Sequence, residues 1–127
     1  MNLLFGFNGR IGRGAYWLGV LVVIIVSIAA ITAVFSLIDV QGMANTDPQA
    51  IDPQAMQQMQ LIMYAAMIPG TYISLAVFVK RLHDMGYTGW LSLLSLLPLV
   101  NLIMLIWLGV AGGKEGPNEY GPDPRAA

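Results

Sequence analysis

Three long apolar runs without a charged residue limit what this chain can fold into. They cover residues 16–38, 61–79 and 90–111. Each run reaches the roughly 20 residues that a helix needs to cross about 30 Å of hydrocarbon. Core helices of soluble proteins are usually shorter and carry a polar face, which none of these runs shows. The sequence therefore predicts an all-α membrane protein, a bundle of three transmembrane helices with an interfacial N-terminal segment.

The composition excludes several kinds of site. The 127 residues suffice for one domain. Of these residues 57% are apolar and 10% are charged, and the mean hydropathy is +0.67. A net charge of −1 gives no basic field for nucleic acid. The chain has no cysteine and one histidine, which excludes disulfides, thiol catalysis and the usual multi-His or Cys-ligated metal sites. We expect no catalytic, cofactor-binding or metal-binding residues.

The first run is predicted to remain in the protein as a signal anchor. Arg10 and Arg13 precede it, as basic residues precede the apolar part of a signal peptide. However, the run is longer than an h-region of about 7–15 residues, and no A-x-A cleavage site follows it closely. The predicted parts of the chain are an interfacial segment 1–15, helix 16–38, external loop 39–60, helix 61–79, cytoplasmic turn 80–89, helix 90–111 and external tail 112–127.

The distribution of Lys and Arg predicts the orientation. Two arginines precede the first run, and Lys80 and Arg81 follow the second, whereas the loop between those runs carries only aspartates. By the positive-inside rule, the N-terminus and the turn after the second run are cytoplasmic. Three crossings then put the tail outside. Pro98 could instead mark a re-entrant hairpin that returns the tail to the cytoplasm, but the third run is too short for two crossings, so a single kinked span is preferred.

One face of the second run carries small residues four positions apart, namely Ala66, Gly70 and Ser74. Such a small-xxx-small pattern lets another helix approach closely. Asn101, near the middle of the third run, is the most polar group within the runs. It is expected to form an interhelical hydrogen bond rather than a substrate site. The partner helix could belong to the same chain or to a second copy.

The sequence "DPQA" occurs twice in the loop between the first two runs, beginning at Asp47 and at Asp52. Aspartate is a favoured helix N-cap and proline a favoured first helical residue. Asp52 is therefore expected to start the second helix about two turns before the membrane.

The polar stretch "KRLHDMGYTGW" joins the second and third runs. Gly86 is expected to be the left-handed C-cap of the second helix, and Thr88 to cap the start of the third. Asp84 then lies at a helix C-terminus, where the dipole disfavours a carboxylate. We expect Arg10 or Arg13 to bind it, because a bidentate contact is stronger than the local pairs. The candidate cytoplasmic interface cluster comprises Arg10, Arg13, Arg81, His83 and Asp84.

Three motifs occur in order along the chain: "FGFNGRIGRGAYW" near the start, "RLHDMGYTGW" after the second run and "GGKEGPNEYGPDP" in the tail. They are similar to motifs of the domain-of-unknown-function family 805, small bacterial inner-membrane proteins. Lys80 stands where that family often has Arg, and Thr88 where Ser is common. The resemblance implies a bacterial cytoplasmic membrane and a multi-helix bundle. It implies no activity and no catalytic residues.

Three functions remain open. A non-enzymatic scaffold, accessory or envelope-stress component is favoured, because the runs carry a small-residue face and no ionisable residue. The alternative is a subunit of an oligomeric transporter or channel for a neutral or apolar solute. A third is an enzyme of lipid headgroups with His83 as base and Asp84 as its orienter, although adjacent helical residues do not face each other. The expected partners are the lipid bilayer with its anionic headgroups, and a homo-oligomer or another membrane protein.

Overall fold

The computed structural model describes residues 5–38, 44–45 and 47–125. Its helices are α1 (Arg13–Leu37), the 3-10 helix η1 (Pro48–Ala50), α2 (Pro53–Asp84), the 3-10 helix η2 (Gly89–Leu96) and α3 (Pro98–Val110). Within these residues there is no strand, only an isolated bridge between Asn118 and Gly121, so the all-α prediction is confirmed for this part of the chain. Some parts of the predicted segments lie outside the described residues, namely residues 1–4, 39–43, 46 and 126–127.

Two of the helices, α1 and α2, are long and apolar enough to cross a membrane. α1 has 25 residues and α2 has 32. At a rise of about 1.5 Å per residue, both exceed the thickness of a hydrocarbon core of about 30 Å. Pro69 lies inside α2 without ending it, which neighbouring groups make possible in apolar helices.

The ends of α2 follow from local sequence, as expected. Asp52 Oδ1 accepts a hydrogen bond from the Gln54 amide at 3.0 Å, and Pro53 is the first helical residue. Asp47 caps η1 in the same way, so each copy of the repeat starts a helix. At the other end, Gly86 has a φ of +85°. The Tyr87 amide donates to the Leu82 carbonyl at 2.9 Å, which gives a Schellman motif.

The third apolar run does not form one helix, and the prediction of a single span over residues 90–111 is wrong. η2 ends at Leu96, and Leu97 has extended backbone before α3 begins at Pro98. Proline suits the first helical position because its missing N–H has no helical partner there. The 13 residues of α3 extend about 20 Å, and the 8 residues of η2 about 16 Å. Neither reaches across a bilayer, and together they form a hairpin.

The tail lies at the same end of α2 as the N-terminal segment. The Lys114 amide donates to the Asp84 carbonyl at 2.8 Å, and Arg10 donates to the Lys114 carbonyl at 2.5 Å. A tail on the far side of a membrane could not form these bonds. The predicted external tail, residues 112–127, thus contacts the N-terminal segment and the end of α2, and the physical reason is the reversal of the chain at Leu97.

The chain divides into two compact units. The first comprises Met1–Val23 and Thr71–Ala127, and the second comprises Ile24–Gly70. Most of the buried apolar side chains lie in the first: Ile11, Tyr16, Ile73, Ala76, Val77, Phe78, Val79, Leu82, Met104 and Leu108. In the second unit Gly70 is buried, and an added Cβ there would lie 2.8 Å from Ser27 Oγ. A close helix approach at Gly70 is thus present within the chain.

Candidate functional site

The Asp84 carboxylate is fully buried and is bound by three arginines. Its Oδ1 accepts from Arg10 Nε at 3.2 Å and from Arg10 Nη2 at 3.0 Å. Its Oδ2 accepts from Arg125 Nη1 at 2.7 Å and from Arg81 Nη1. We call this set, Arg10, Arg81, Asp84 and Arg125, the Asp84 cluster. The predicted contact between Asp84 and Arg10 is confirmed.

Arg10 connects the N-terminal segment to the tail as well as to Asp84. Besides the carboxylate, its guanidinium donates to the carbonyls of Lys114 at 2.5 Å, Gly116 at 2.6 Å and Gly121 at 3.2 Å. All three nitrogens of its guanidinium are therefore used. The other candidate, Arg13, does not reach Asp84. It is exposed and donates to the Val110 carbonyl at 3.5 Å.

Arg81 connects α2 to the end of α3. Its Nε donates to the Leu108 carbonyl at 2.7 Å and its Nη2 to the Ala111 carbonyl at 2.5 Å. Leu108 lies in the last turn of α3 and Ala111 caps its end, where carbonyls lack partners within the helix. A cation at that position also complements the helix dipole. Arg81 thereby fixes the end of the hairpin beside the end of α2.

Arg125 completes the cluster from the tail and is 39% exposed. It also donates to the Lys114 carbonyl at 2.7 Å, and its bond to Asp84 raises the pKa of the guanidinium. Asp123 accepts from the amides of Arg125 and Gly116, both at 2.9 Å, which lowers the pKa of the Asp123 carboxyl. The sequence prediction missed Arg125, because it placed the tail on the other side of the membrane.

Gly113 is where the tail passes closest to the carboxylate. A Cβ at this position would overlap Asp84 Oδ2 and lie 2.5 Å from Arg125 Nη1. Only glycine leaves the space that the Asp84–Arg125 contact occupies. The motif "GGKEG" in the tail carried this signal, although sequence alone did not say what the glycine approaches.

His83 binds different partners from Asp84, its neighbour in sequence. Its Nδ1 donates to the Gly9 carbonyl at 3.1 Å, and its ring stacks on Tyr120 with centroids 3.9 Å apart and planes at 3°. The Asn118 amide group donates to the His83 carbonyl at 2.9 Å. A base oriented by Asp84 is therefore not formed, since the carboxylate is occupied by arginines.

The sequence-predicted packing residues are not members of the Asp84 cluster. Ser74 Oγ donates to the Thr71 carbonyl of its own helix. Asn101 Nδ2 donates to the Ser95 carbonyl at 2.7 Å, which joins the first turn of α3 to η2. Ala66 is half-buried.

A different glycine mediates the close approach between α3 and α1. An added Cβ at Gly109 would overlap the Trp17 ring, and Trp17 Nε1 donates to the Gly109 carbonyl at 3.0 Å. Tyr16, one residue earlier, donates to the Leu105 carbonyl at 2.8 Å. The start of α1 is thus bonded directly to the backbone of α3.

Metal binding finds no support in the part of the chain that the structure describes, where no group of three His, Cys, Asp or Glu side chains could hold an ion. The chemistry of the Asp84 cluster is instead that of a structural joint. Four chain segments meet there, and the arginines donate to the one carboxylate and to backbone carbonyls.

The chain matches no curated protein and no solved structure. Residues 4–122 match the model of the family described as "Protein of unknown function (DUF805)". That stretch includes the N-terminal segment, both long helices, the hairpin and most of the tail. The resemblance found in the three sequence motifs is confirmed, and the chain belongs to the DUF805 family.

Proposed function

We propose that the chain is an integral protein of the bacterial cytoplasmic membrane and acts as a non-enzymatic scaffold or accessory component. It crosses the bilayer twice, through α1 and α2, and inserts the η2–α3 hairpin from one side. It acts by packing its exposed apolar helix faces against other membrane proteins.

Exposed apolar side chains on α1 and α2 support the membrane assignment. Ile25 is 57% exposed and Ile28 59% exposed on α1, and Ile68 is 65% exposed on α2. A soluble protein rarely leaves such large contiguous apolar faces in water. In a bilayer the same faces contact lipid or a neighbouring helix.

The orientation gains support from the position of the tail. All six Lys and Arg residues lie in segments that meet near the end of α2: Arg10, Arg13, Lys80, Arg81, Lys114 and Arg125. If α1 and α2 each cross once, the segment between them lies on the opposite side and has no Lys or Arg at all. The positive-inside rule then places the cluster, the N-terminus and the tail in the cytoplasm.

The observation that most supports the scaffold role is that the hydrogen-bonding groups of Arg10, Arg81 and Asp84 are all used in joining segments of the chain. Every guanidinium nitrogen of Arg10 and Arg81 donates within the chain. Both Asp84 oxygens accept two bonds each. A catalytic group needs a free lone pair or proton aimed at a substrate, whereas these groups are positioned to hold the fold.

Photocrosslinking from the lipid-facing side of α1 tests this role. A photoreactive amino acid is placed at Ile25 or Ile28 in cells, and the crosslinked products are identified by mass spectrometry. Lateral packing predicts crosslinks to a defined membrane protein or to a second copy. The buried Val34 is the matched control, and it should give crosslinks within the chain only.

Products that contain lipid alone, from every exposed position of α1 and α2, would contradict the scaffold proposal. That result would leave the membrane assignment intact.

The hairpin favours a second candidate, a subunit of an oligomeric transporter or channel for a neutral solute. Non-helical backbone at membrane depth occurs where it is buried in protein or lines a water-filled cavity. Leu97 supplies such extended backbone between η2 and α3, and Ser92 and Ser95 of η2 are buried. Flux of small neutral solutes into proteoliposomes, absent from liposomes without the protein, would favour this candidate.

A further inference from the structure

The N-terminal segment contacts α2 at two levels that lie far apart along the helix. Near the end of α2, His83 Nδ1 donates to the Gly9 carbonyl at 3.1 Å. Nearer the middle of α2, the Tyr72 hydroxyl donates to the Phe5 carbonyl at 2.7 Å. Residues 72 and 83 are about 16 Å apart along the axis of an α-helix. The chain therefore runs beside α2 as it is followed back from Gly9 to Phe5.

The backbone between these two contacts is close to extended. Residues 6–12 form neither helix nor strand. The four steps from Phe5 to Gly9 can span at most about 14 Å, and the side chains of Tyr72 and His83 bridge what remains. We call residues 5–9 the N-terminal strap.

Aromatic rings gather where the strap meets Tyr72. The Phe7 ring packs edge-on against the Tyr72 ring with centroids 5.4 Å apart, and the Phe5 ring lies 6.4 Å from it. Phe5 is nevertheless 57% exposed, Phe7 39% and Tyr72 41%. The strap thus presents apolar ring surface away from the rest of the chain.

The place of Tyr72 in the sequence gives the depth of this contact. Residues 61–79 carry no charge, and the charged end of α2 begins at Lys80. Tyr72 lies eight residues before Lys80, which is about 12 Å along the helix. Half of a hydrocarbon core is about 15 Å thick. In the topology proposed above, the contact between Tyr72 and Phe5 therefore lies within the cytoplasmic leaflet.

The hydrogen bond between Tyr72 and Phe5 satisfies two polar groups at that depth. A hydroxyl or a backbone carbonyl without a partner is costly in hydrocarbon, where no water can replace the partner. One bond serves both groups here, and the rings are left to face outward. Asn8, the polar side chain of the strap, stands beside Gly9 at the end nearer the headgroups.

We infer that the N-terminal strap is a re-entrant segment that inserts into the cytoplasmic leaflet beside α2, where Tyr72 holds it and the rings of Phe5 and Phe7 contact lipid acyl chains. This rests on the proposed crossing of the membrane by α1 and α2. The strap gives the chain a lipid-contacting surface besides its helices, and it places residues 5–9 deeper than an interfacial position.

Collision of a spin label with oxygen and with a water-soluble nickel chelate tests the depth of the strap. Because the chain has no cysteine, Phe5→Cys carries one label and keeps the backbone carbonyl. The labelled full-length protein is placed in nanodiscs of zwitterionic phospholipid. Labels at Ile25→Cys, exposed on α1, and at Pro122→Cys, exposed in the tail, are the references for lipid and water. The ratio of oxygen to nickel collisions at Phe5→Cys should match that at Ile25→Cys and exceed that at Pro122→Cys several-fold.

Phe7→Cys gives a second reading, which covers the case in which Phe5→Cys fails to fold. A ratio at either strap position equal to that at Pro122→Cys would place the strap in water and overturn the inference. Low collision rates with both reagents would mean that protein covers the strap, which would overturn it as well. The proposed membrane crossing stands in both cases if Ile25→Cys reports lipid, and it fails with the strap if Ile25→Cys reports water.

Tyr72→Phe tests what holds the strap, because it removes the hydroxyl and keeps the ring. The Phe5 carbonyl then lacks its donor, so nickel collisions with the label at Phe5→Cys should increase several-fold. Tyr64→Phe is the matched control, since the Tyr64 hydroxyl on the same helix accepts from the Gln60 side chain at 3.0 Å. It should leave the collision rates unchanged. Equal rates in the two variants would contradict the role of Tyr72 and overturn the inference.

Discussion

Asp84 lies at the end of a helix where a carboxylate is disfavoured by about 0.3–1 kcal/mol, and it is fully buried. Both facts are explained by the arginines around it. A buried ion cluster does not guarantee a net gain in stability, because desolvation opposes the attraction. Removing one member is different, since the charges that remain are then buried without a partner.

Asp84→Asn should therefore destabilise the protein by about 3–5 kcal/mol. The amide keeps the shape but leaves the buried Arg10 and Arg81 without their counter-ion. Denaturation in mild detergent with increasing SDS measures the change. Glu115→Gln, an exposed position in the tail, is the control and should alter stability by less than about 0.5 kcal/mol. Equal stability of the two variants would show that the cluster is not required for the fold.

Gly113→Ala tests the close approach of the tail. The added methyl group overlaps Asp84 Oδ2, so we expect the tail to shift and trypsin cleavage after Lys114 to become about tenfold faster, equivalent to about 1.4 kcal/mol of opening free energy. Gly112→Ala is a neighbouring control, because an added Cβ there meets nothing within 4 Å. Equal cleavage rates in both variants would contradict the described packing.

At this scale the sequence predicted part of the site. The Asp84–Arg10 contact could be inferred because both residues lie at the ends of their apolar runs that carry Lys and Arg, and a carboxylate at a helix C-terminus needs a cation. Gly86 could be inferred from the turn that follows α2. Arg125 could not, since its contact depends on the path of residues 90–111.

Among the elements, the hairpin of η2 and α3 shows that a hydropathy pattern does not report the direction in which an apolar run is folded. Residues 90–111 have the length of one span, and apolar length does not distinguish a straight helix from two short ones that reverse direction. Pro98 raised a re-entrant hairpin as an alternative, and tertiary bonds decide in its favour. Tyr16, Trp17 and Arg81 all donate to backbone carbonyls of residues 105–111.

The hairpin should consequently depend on Gly109. Gly109→Ala places a methyl group into the Trp17 ring, and such overpacking typically costs about 1–3 kcal/mol. We expect a lower unfolding midpoint in detergent. Trp17→Leu makes room for the added methyl group. Gly109→Ala should therefore lower the unfolding midpoint less in a Trp17→Leu protein than in the unsubstituted chain. A Gly109→Ala protein as stable as the unsubstituted chain would mean that α3 does not pack against the start of α1.

For the whole molecule, the distribution of charge and the path of the chain agree once the hairpin is included. A third crossing would separate Lys114 and Arg125 from the other four cations. In the proposed topology, two crossings with a hairpin bring all six to one side, which is the arrangement that the positive-inside rule favours. The same arrangement lets the tail reach Asp84.

The side of the membrane that the C-terminus faces is the most direct test of this account. The chain lacks cysteine, so Asn45→Cys and Ala127→Cys each carry one thiol, which a membrane-impermeant maleimide labels in intact spheroplasts. Two crossings with a hairpin predict that Asn45→Cys is labelled from outside, and that Ala127→Cys is labelled only after the membrane is permeabilised. Labelling of Ala127→Cys from outside in intact spheroplasts would contradict two crossings with a hairpin.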